Sequence, residues 1–417
     1  MIKLTTLENG LRIISHHMSS VESVSFAVYN KVGSRDESED INGTAHFLEH
    51  MAFKGTTTRS ATEIVETIDR VGGSINAATG KDITKYTVDL LAEDLNIGVD
   101  IITDILQNST FKTKEFEKER SVILEEISMN NDNPSRMIVN QWFKTSFPNQ
   151  SVGRLTIGTK EIIKSIERNE IIDFMHNYYH PKKMIFTAAG KVNHDEFVDM
   201  INKSISNLPD GKLHKRSKAS YKGGEYREEK KLEQIHLALG FEGLNLHDDN
   251  RETLQVYSSL MGSGMSSRLF QEIREKRGLV YSIFSGNIFL EDVGIFGIIA
   301  ATGNNKIKEL IPVLCDELIN SPKNLNEEEI LKAKAKLKFS LVKSLESCRI
   351  NAGSSADDLL NYNRIIKVEE QLDKINKVSK DSIQKVVTEM LNSNPTIASI
   401  GPINNLEKLE NLRSRFF

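Results

Sequence analysis

The segment His46-Phe47-Leu48-Glu49-His50 has the residue types and spacing of a metal site that activates water. On a helix, positions i and i+4 share a face, so His46 and His50 can present two imidazoles to one ion. Glu49 lies beside the second histidine, where a carboxylate can take a proton from a water that the metal activates. The alternative for so short a pattern is an exposed polar helix face. A third protein ligand is therefore needed to support the metal site.

A helix predicted over 114–130 offers that ligand. One broad buried face is predicted from its apolar residues, Phe116, Val122, Ile123, Ile127 and Met129. Glu119 and Glu126 fall within this face, whereas Glu125 falls outside it. A carboxylate on a core-facing stripe is costly unless it is paired or binds a metal. We therefore expect Glu126 to be the third ligand and Glu119 to orient the site. The alternative is a helix edge at which both glutamates reach water.

Alternating and helical patterns predict the elements that position these residues. In the first half, strands are predicted at 11–15, 24–29, 74–79 and 83–90, and helices at 44–52, 92–107 and 114–130. Another helix is predicted between a capping box, formed by Ser60 and Glu63, and a Gly72-Gly73 stop. The second half repeats this layout with strands at 236–241, 280–287 and 294–301 and helices at 251–261, 306–320 and 326–347. The pattern indicates a duplicated α/β unit.

A change in composition separates the two halves. The stretch 209–231 contains Pro209, three glycines and many lysines and arginines. We interpret it as a linker between an N-terminal domain, 1–208, and a homologous C-terminal domain, 232–417. Its basic residues are expected to form a solvated surface, with an anionic partner as the alternative.

Composition excludes several classes of protein. The 417 residues are 39% hydrophobic and 27% charged, which is typical of globular domains. With 54 basic and 58 acidic residues the net charge is −4, which argues against a nucleic-acid-binding role. No apolar run approaches the roughly 18 residues of a membrane span, and the first residues lack a signal-like apolar segment. The two cysteines indicate a reducing compartment, and a cytoplasmic protein is predicted.

Three segments resemble one family. The histidine segment, continued by Met51-Ala52-Phe53-Lys54-Gly55-Thr56, resembles the zinc site of the pitrilysin/insulinase metallopeptidases, especially their processing-peptidase members. Gly72-Gly73-Ser74-Ile75-Asn76-Ala77 resembles the family's substrate-binding strand. The stretch 266–274, running on to 278–281, resembles its C-terminal signature. Glu126, 76 positions after His50, matches the family's third ligand. The resemblance spans nearly the whole chain.

This resemblance implies a fold and an activity. The implied fold class is α+β (layered α/β), with two homologous domains that each have a mainly antiparallel sheet and helices packed on one side. The implied activity is a zinc-dependent endopeptidase in which His46, His50 and Glu126 bind Zn²⁺ and Glu49 is the general base.

The substrate is expected to be an extended peptide. Asn76 and Ala77 would hold its backbone as an added strand at a sheet edge, a mode that tolerates many side chains. Basic, presequence-like peptides are one candidate class, and general oligopeptide turnover is the other.

Arg274 and Tyr281 match a pair that reaches the substrate from the second half-shell of the larger family members. Those members carry four such domains and this chain carries two. We therefore expect a homodimer in which the partner copy completes each active site. The alternative is that Arg274 is a surface residue and Tyr281 belongs to the core.

Two other functions compete with the peptidase. A non-catalytic scaffold subunit is the main one, because relatives of this fold serve as inactive partners and typically lose a metal ligand or the base. All four residues are present here, which favours an enzyme. The other is a zinc-dependent hydrolase of small molecules, which would need no extended binding strand around Asn76.

Overall fold

The computed structural model describes residues 1–416, which fold into two compact units. The first unit comprises residues 1–128, 154–217 and 343–366. The second comprises residues 129–153, 218–342 and those from 367 onward. Each unit therefore contains one segment from the opposite half of the sequence.

The first unit is built on a six-stranded sheet. Its strands are β1 (Ile2–Thr6), β2 (Arg12–His17), β3 (Ser23–Asn30), β4 (Ser74–Thr79), β5 (Thr84–Leu91) and β6 (Met184–Gly190). They lie in the order β1-β2-β6-β3-β5-β4. The β2–β6 pair is parallel and the other pairs are antiparallel. Strand β4 is consequently an edge strand, paired with β5 on one side.

The second unit has a five-stranded sheet of the same topology. Its strands are β7 (Gly224–Glu229), β8 (Ile235–Gly243), β9 (Val280–Phe289), β10 (Gly294–Thr302) and β11 (Thr396–Gly401). They lie in the order β7-β11-β8-β10-β9, with β7 and β11 parallel and the other neighbours antiparallel. This order reproduces β2-β6-β3-β5-β4 strand for strand. The predicted duplication and mainly antiparallel sheets are confirmed.

Helices cover these sheets. In chain order they are α1 (Thr44–Ala52), α2 (Ala61–Arg70), α3 (Leu95–Asn108), α4 (Thr113–Asp132), α5 (Pro134–Ser146), α6 (Lys160–Ser165), α7 (Arg168–Tyr178), α8 (His194–Ser204), α9 (Arg251–Gly262), α10 (Ile307–Asn324), α11 (Glu327–Ser344), α12 (Cys348–Tyr362), α13 (Val368–Lys377), α14 (Lys380–Leu391) and α15 (Leu409–Phe416). Helix α1 has the predicted bounds, and the capping box of Ser60 and Glu63 begins α2 as predicted. Helix α3 begins later than predicted, because residues 92–94 form a 3₁₀ turn. Among the 416 described residues, no helix combines the length and the apolar character needed to cross a membrane.

Successive residues of the strands face opposite sides of each sheet. In β3, Phe26 packs into the main helical layer, whereas Ala27 packs with residues of α12 on the other face. In the second unit, Trp142 of α5 covers the corresponding outer face together with Ala398 of β11. In each unit a helix from the opposite half of the sequence, α12 in the first and α5 in the second, therefore packs on the sheet face opposite the predicted helical layer.

The stretch predicted as a linker is held to the units rather than freely solvated. Arg216 donates two hydrogen bonds to Asp36, at 2.8 and 2.7 Å, and its side chain is 13% exposed. Tyr221 is buried in the second unit and donates to the Gly240 carbonyl at 3.2 Å. The expectation of a solvated basic surface is therefore wrong for Arg216, because buried carboxylates recruit its guanidinium.

Candidate metal centre

Helix α1 carries the two histidines, and a buried carboxylate caps its first turn. Glu37 accepts hydrogen bonds from the backbone amides of Gly43, at 2.8 Å, and Ala45, at 2.7 Å. These amides have no partner inside the helix, so Glu37 satisfies them. Gly43 has φ +106°, and a Cβ there would lie 2.8 Å from the Ile157 carbonyl oxygen, so glycine is required. The start of α1, and with it the position of His46, is fixed.

Packing between aromatic rings sets α4 against α1. Phe47 of α1 and Phe116 of α4 are stacked, with ring centroids 4.7 Å apart and an interplanar angle of 4°. From Phe116, the spacing of Glu119 and Glu126 follows one face of the helix. Ring stacking therefore directs both carboxylates toward the histidine helix.

The predicted apolar face of α4 is narrower than the sequence pattern indicated. Ile123 and Ile127 are buried, but Val122 is 44% exposed and Met129 is 68% exposed. The prediction was wrong for these two residues, because the buried arc of α4 is limited to Phe116, Glu119, Ile123 and Ile127.

His46, His50 and Glu126 form one group of potential metal ligands. Nε2 of His46 lies 3.8 Å from Oε2 of Glu126, and Nε2 of His50 lies 3.7 Å from the same oxygen. All three ligand atoms lie within 4.8 Å of one another, and no second group of this kind occurs in residues 1–416. Ligands at zinc distances of about 2.1 Å in a tetrahedron lie about 3.4 Å apart. The separations fit one small divalent cation, and three protein ligands leave a position open for water.

Glu119 orients His50. Nδ1 of His50 lies 3.1 Å from Oε2 of Glu119, and Nζ of Lys54 lies 2.7 Å from Oε1. Burial acts to raise the pKa of Glu119, but hydrogen bonds from His50 and Lys54 outweigh it and lower the pKa. A charged Glu119 keeps the His50 proton on Nδ1, which leaves the Nε2 lone pair for a metal.

His46 is held in its neutral form. Burial, with a smaller contribution from His50, lowers the pKa of His46 to about 4. Its Nδ1 is buried and has no hydrogen-bond partner among the residues that the structure describes. A neutral imidazole is the form that binds metal, so the donor set fits the ion that the sequence predicts.

Glu49 lies next to the ligands and is hydrogen-bonded by a neighbouring strand. Thr79, the last residue of β4, donates its hydroxyl to Oε2 of Glu49 at 2.6 Å. Burial raises the pKa of Glu49, and the bond from Thr79 and the charge of His50 offset it in part. A carboxylate with a raised pKa is a stronger base than an exposed one, which suits proton transfer.

Asn76 and Ala77 lie on the open edge of the sheet. Gly80 donates to the Ile83 carbonyl at 2.8 Å, so the backbone-bonded pairs of β4 with β5 alternate from that pair. By this count Ala77 directs its backbone N–H and C=O away from β5. The Ala77 amide is bonded instead to Oδ1 of Asn76, at 2.9 Å. An incoming strand would replace that local bond.

Arg274 and Tyr281 lie in the second unit and contact each other. The guanidinium carbon of Arg274 lies 5.4 Å from the ring centroid of Tyr281 and 4.5 Å from that of Phe270. Tyr281 is on the edge strand β9 and is 77% exposed, so the alternative that it belongs to the core is wrong.

Sequence reasoning missed three residues that support the site: Glu37, Lys54 and Thr79. Two of them had a usable signal. Lys54 is four residues after His50, just beyond the end of the same helix, and Thr79 is two residues after Ala77 on the same strand face. Glu37 had no local signal, since it is nine residues before His46 in an irregular loop.

Relatives of known sequence match almost the whole chain. Residues 12–160 match the family model described as Insulinase (Peptidase family M16), and residues 165–337 match the model described as Peptidase M16 inactive domain. An uncharacterized zinc protease of Rickettsia felis is 36% identical over 402 residues, which cover 96% of this chain and 97% of that protein. An uncharacterized zinc protease of Bacillus subtilis is 34% identical, covering 97% of this chain and all of that protein.

Solved structures with a similar fold also match nearly the whole chain. A protease from Helicobacter pylori superposes with a TM-score of 0.88 at 26% identity, covering 96% of this chain and 99% of that one. A chain of complex III from Candida albicans has the same TM-score at 17% identity, which shows a shared fold alone. With these matches over nearly its full length, the chain belongs to the insulinase family, peptidase family M16.

Proposed function

We propose that this protein is a zinc metalloendopeptidase that cleaves extended peptides. The observation that carries the proposal is the group of His46, His50 and Glu126 with Glu49 beside it. Two imidazoles and one carboxylate are a common ligand set of catalytic zinc. The names of the relatives, zinc proteases, support Zn²⁺ as the cofactor.

The ligands and the base have separate roles. When bound, zinc polarises the scissile carbonyl and lowers the pKa of a water molecule. Glu49 accepts a proton from the attacking water and returns it to the leaving amine. Glu119 keeps His50 in the tautomer that binds metal.

The open edge of β4 suits a peptide backbone. Ala77 offers its N–H and C=O at this edge, and the exposed Asn76 beside it can release the Ala77 amide. A peptide added here as a strand would be recognised by its backbone, so its sequence would vary. Basic, presequence-like peptides stay one candidate class, and folded proteins should be poor substrates.

Arg274 and Tyr281 are proposed to complete the site. Their mutual contact gives one cation and one exposed hydroxyl that can donate to the substrate carbonyl and to the developing oxyanion. We propose that they act in trans, from the second copy of a homodimer, as the resemblance to four-domain relatives implies.

The competing function is a non-catalytic scaffold subunit. Shared fold alone, as with the complex III chain, is compatible with it. The presence of three ligand residues and a base in one place favours the enzyme, since a scaffold has no use for a desolvated carboxylate beside them.

The experiment that separates these functions is cleavage of a flexible peptide library with and without a chelator. The peptidase should cleave, lose activity with chelator and regain it with added Zn²⁺. Glu49→Gln should keep about one zinc per chain and lower the rate by about 10²–10⁴-fold. A zinc-loaded wild-type protein that cleaves nothing would favour the scaffold, and an active Glu49→Gln protein would overturn the role of the base.

Catalysis in trans has its own test. Inactive Glu49→Gln and Tyr281→Phe proteins are mixed and allowed to exchange subunits. Random exchange leaves one complete site in half of the dimers, so about a quarter of wild-type turnover should return. A mixture that exchanges subunits and stays inactive would exclude action in trans.

A further inference from the structure

The last residue of β4 contacts the general base. Oγ1 of Thr79 lies 2.6 Å from Oε2 of Glu49 and 3.4 Å from the Ala45 carbonyl oxygen. A hydroxyl has one hydrogen to donate, and the shorter contact is to the carboxylate. Hydrogen bonds to ionised acceptors are shorter and stronger than neutral ones. The hydroxyl therefore belongs to Glu49.

The backbone around Thr79 is fixed from two sides. Thr79 pairs with Thr84 of β5, and the carbonyl oxygens of Gly80 and Lys81 accept the amides of Ser34 and Arg35 at 3.0 and 3.1 Å. Threonine is also stiff at χ1, because its β-carbon is branched. The position of the hydroxyl is thus set by the sheet and by the loop that precedes α1.

The Glu49 side chain, by contrast, has three rotatable bonds and projects from a helix. A mobile carboxylate would spend part of its time away from the attacking water. A fixed donor at 2.6 Å selects one orientation.

We propose that Thr79 is a positioning residue for Glu49, and that β4 aligns the base and the peptide substrate together. The inference rests on the proposed function, since it assigns a role to a neighbour of its base. Ala77 and Thr79 are two residues apart on the same strand. One strand would therefore fix the positions of both the bound peptide and the Glu49 carboxylate.

The test compares Thr79→Val with Thr79→Ser. Valine keeps the shape and the β-branch but removes the hydroxyl, and serine keeps the hydroxyl. We expect Thr79→Val to lower kcat by about 10–100-fold, because misplacement of a catalytic group by about 1 Å has such an effect. KM should stay within about twofold, because the outward backbone of Ala77 is unchanged, and serine should restore most of kcat.

Thr103→Val is the matched control. Thr103 is buried in α3 of the same unit, and its hydroxyl donates to the Val99 carbonyl at 2.7 Å. It should lose no more than about twofold in kcat, which shows that removal of a buried hydroxyl is not enough. Zinc content and melting temperature are measured for every variant, and Thr79→Ala is used if the valine protein does not fold.

A crystal structure supplies a readout that does not depend on activity. The Glu49 carboxylate should occupy one position in wild type and Thr79→Ser, and a different or divided position in Thr79→Val. An unchanged kcat in Thr79→Val, an equal loss in Thr79→Ser or an unmoved carboxylate would overturn the inference. If wild type itself fails to cleave peptides, the proposed function fails instead, and the carboxylate positions still decide what Thr79 does.

Discussion

The two units share the order of five strands, but polar residues of the first unit have no counterparts in the second. In the first unit, α1 follows β3 and carries His46, Glu49 and His50. In the second, α9 follows β8 in the same order and contains no histidine. Ten of its twelve residues are instead buried, including Tyr257 and Met261.

The helices that follow differ in charge. Helix α4 brings Glu119 and Glu126 to the histidines, whereas α11 has lysines along its middle and end. No second group of metal-ligand residues occurs in the described chain. Both units form the same fold with apolar residues facing the core. The chemistry depends on polar residues of α1 and α4, and the equivalent helices of the second unit do not carry them.

The largest expected effect is the loss of the metal from the first unit. Glu126→Gln replaces a charged ligand by a neutral amide, so zinc affinity should fall by more than about 100-fold and peptide cleavage should be lost with it. Glu125→Gln is the matched control, because Glu125 is the adjacent residue of α4 and is exposed. Equal zinc binding by the two variants, measured by titration with a metal indicator, would contradict the ligand assignment.

A smaller effect is expected one contact further out. Glu119→Gln leaves three ligands in place but removes the charge that holds the His50 proton on Nδ1. Metal affinity should fall by about 10–100-fold, as it does for comparable outer partners of zinc ligands. Calorimetric zinc titration checks this. A loss as large as that of Glu126→Gln would show that Glu119 is itself a ligand.

A buried carboxyl group at the start of α1 makes the stability of the first unit depend on pH. Burial raises the pKa of Glu37 from 4.5 to about 7, although bonds from Gly43, Ala45 and Asn42 lower it. Between pH 4.5 and about pH 7 the folded state binds more protons at Glu37 than the unfolded state does. The free energy of unfolding therefore falls as the pH rises through this range, by about 3 kcal/mol in total. Helix α9 begins at Asn250 without a side-chain cap.

Urea unfolding of zinc-free protein between about pH 5 and pH 7 measures this slope. Glu37→Gln should flatten it, whatever its effect on stability at one pH. The titration of His46 is common to both proteins and cancels in the comparison. If the free energy of unfolding changes with pH equally in the two proteins, the pKa of Glu37 is not raised by folding, and the interpretation is wrong.

The smallest effect is expected in the core of the second unit. A Cβ at Gly240 would lie 2.3 Å from Nε1 of Trp142, so Gly240→Ala should destabilise the protein by about 1–3 kcal/mol. Gly286→Ala is the control, because a Cβ there meets nothing within 4 Å. Neither change should alter zinc content. Loss of zinc in Gly240→Ala would show that the metal site depends on the packing of the second unit as well as on the first.

Local patterns in the sequence were enough for the elements of the fold. The bounds of α1, the capping box of α2 and the strand β4 follow from spacing and caps within a few residues. The i, i+4 histidines and the stripe of Glu119 and Glu126 also follow, because helix geometry places residues of known spacing on one face.

Only the tertiary structure shows which residues of different helices, strands and loops contact each other. The stacking of Phe47 on Phe116, the cap from Glu37 and the hydroxyl of Thr79 join segments whose spacing has no period. The exposure of Val122 and Met129 and the exchange of α5 and α12 between units depend likewise on which surfaces meet. Periodicity reports on one helix or strand, whereas contacts between elements depend on the packing of the whole unit.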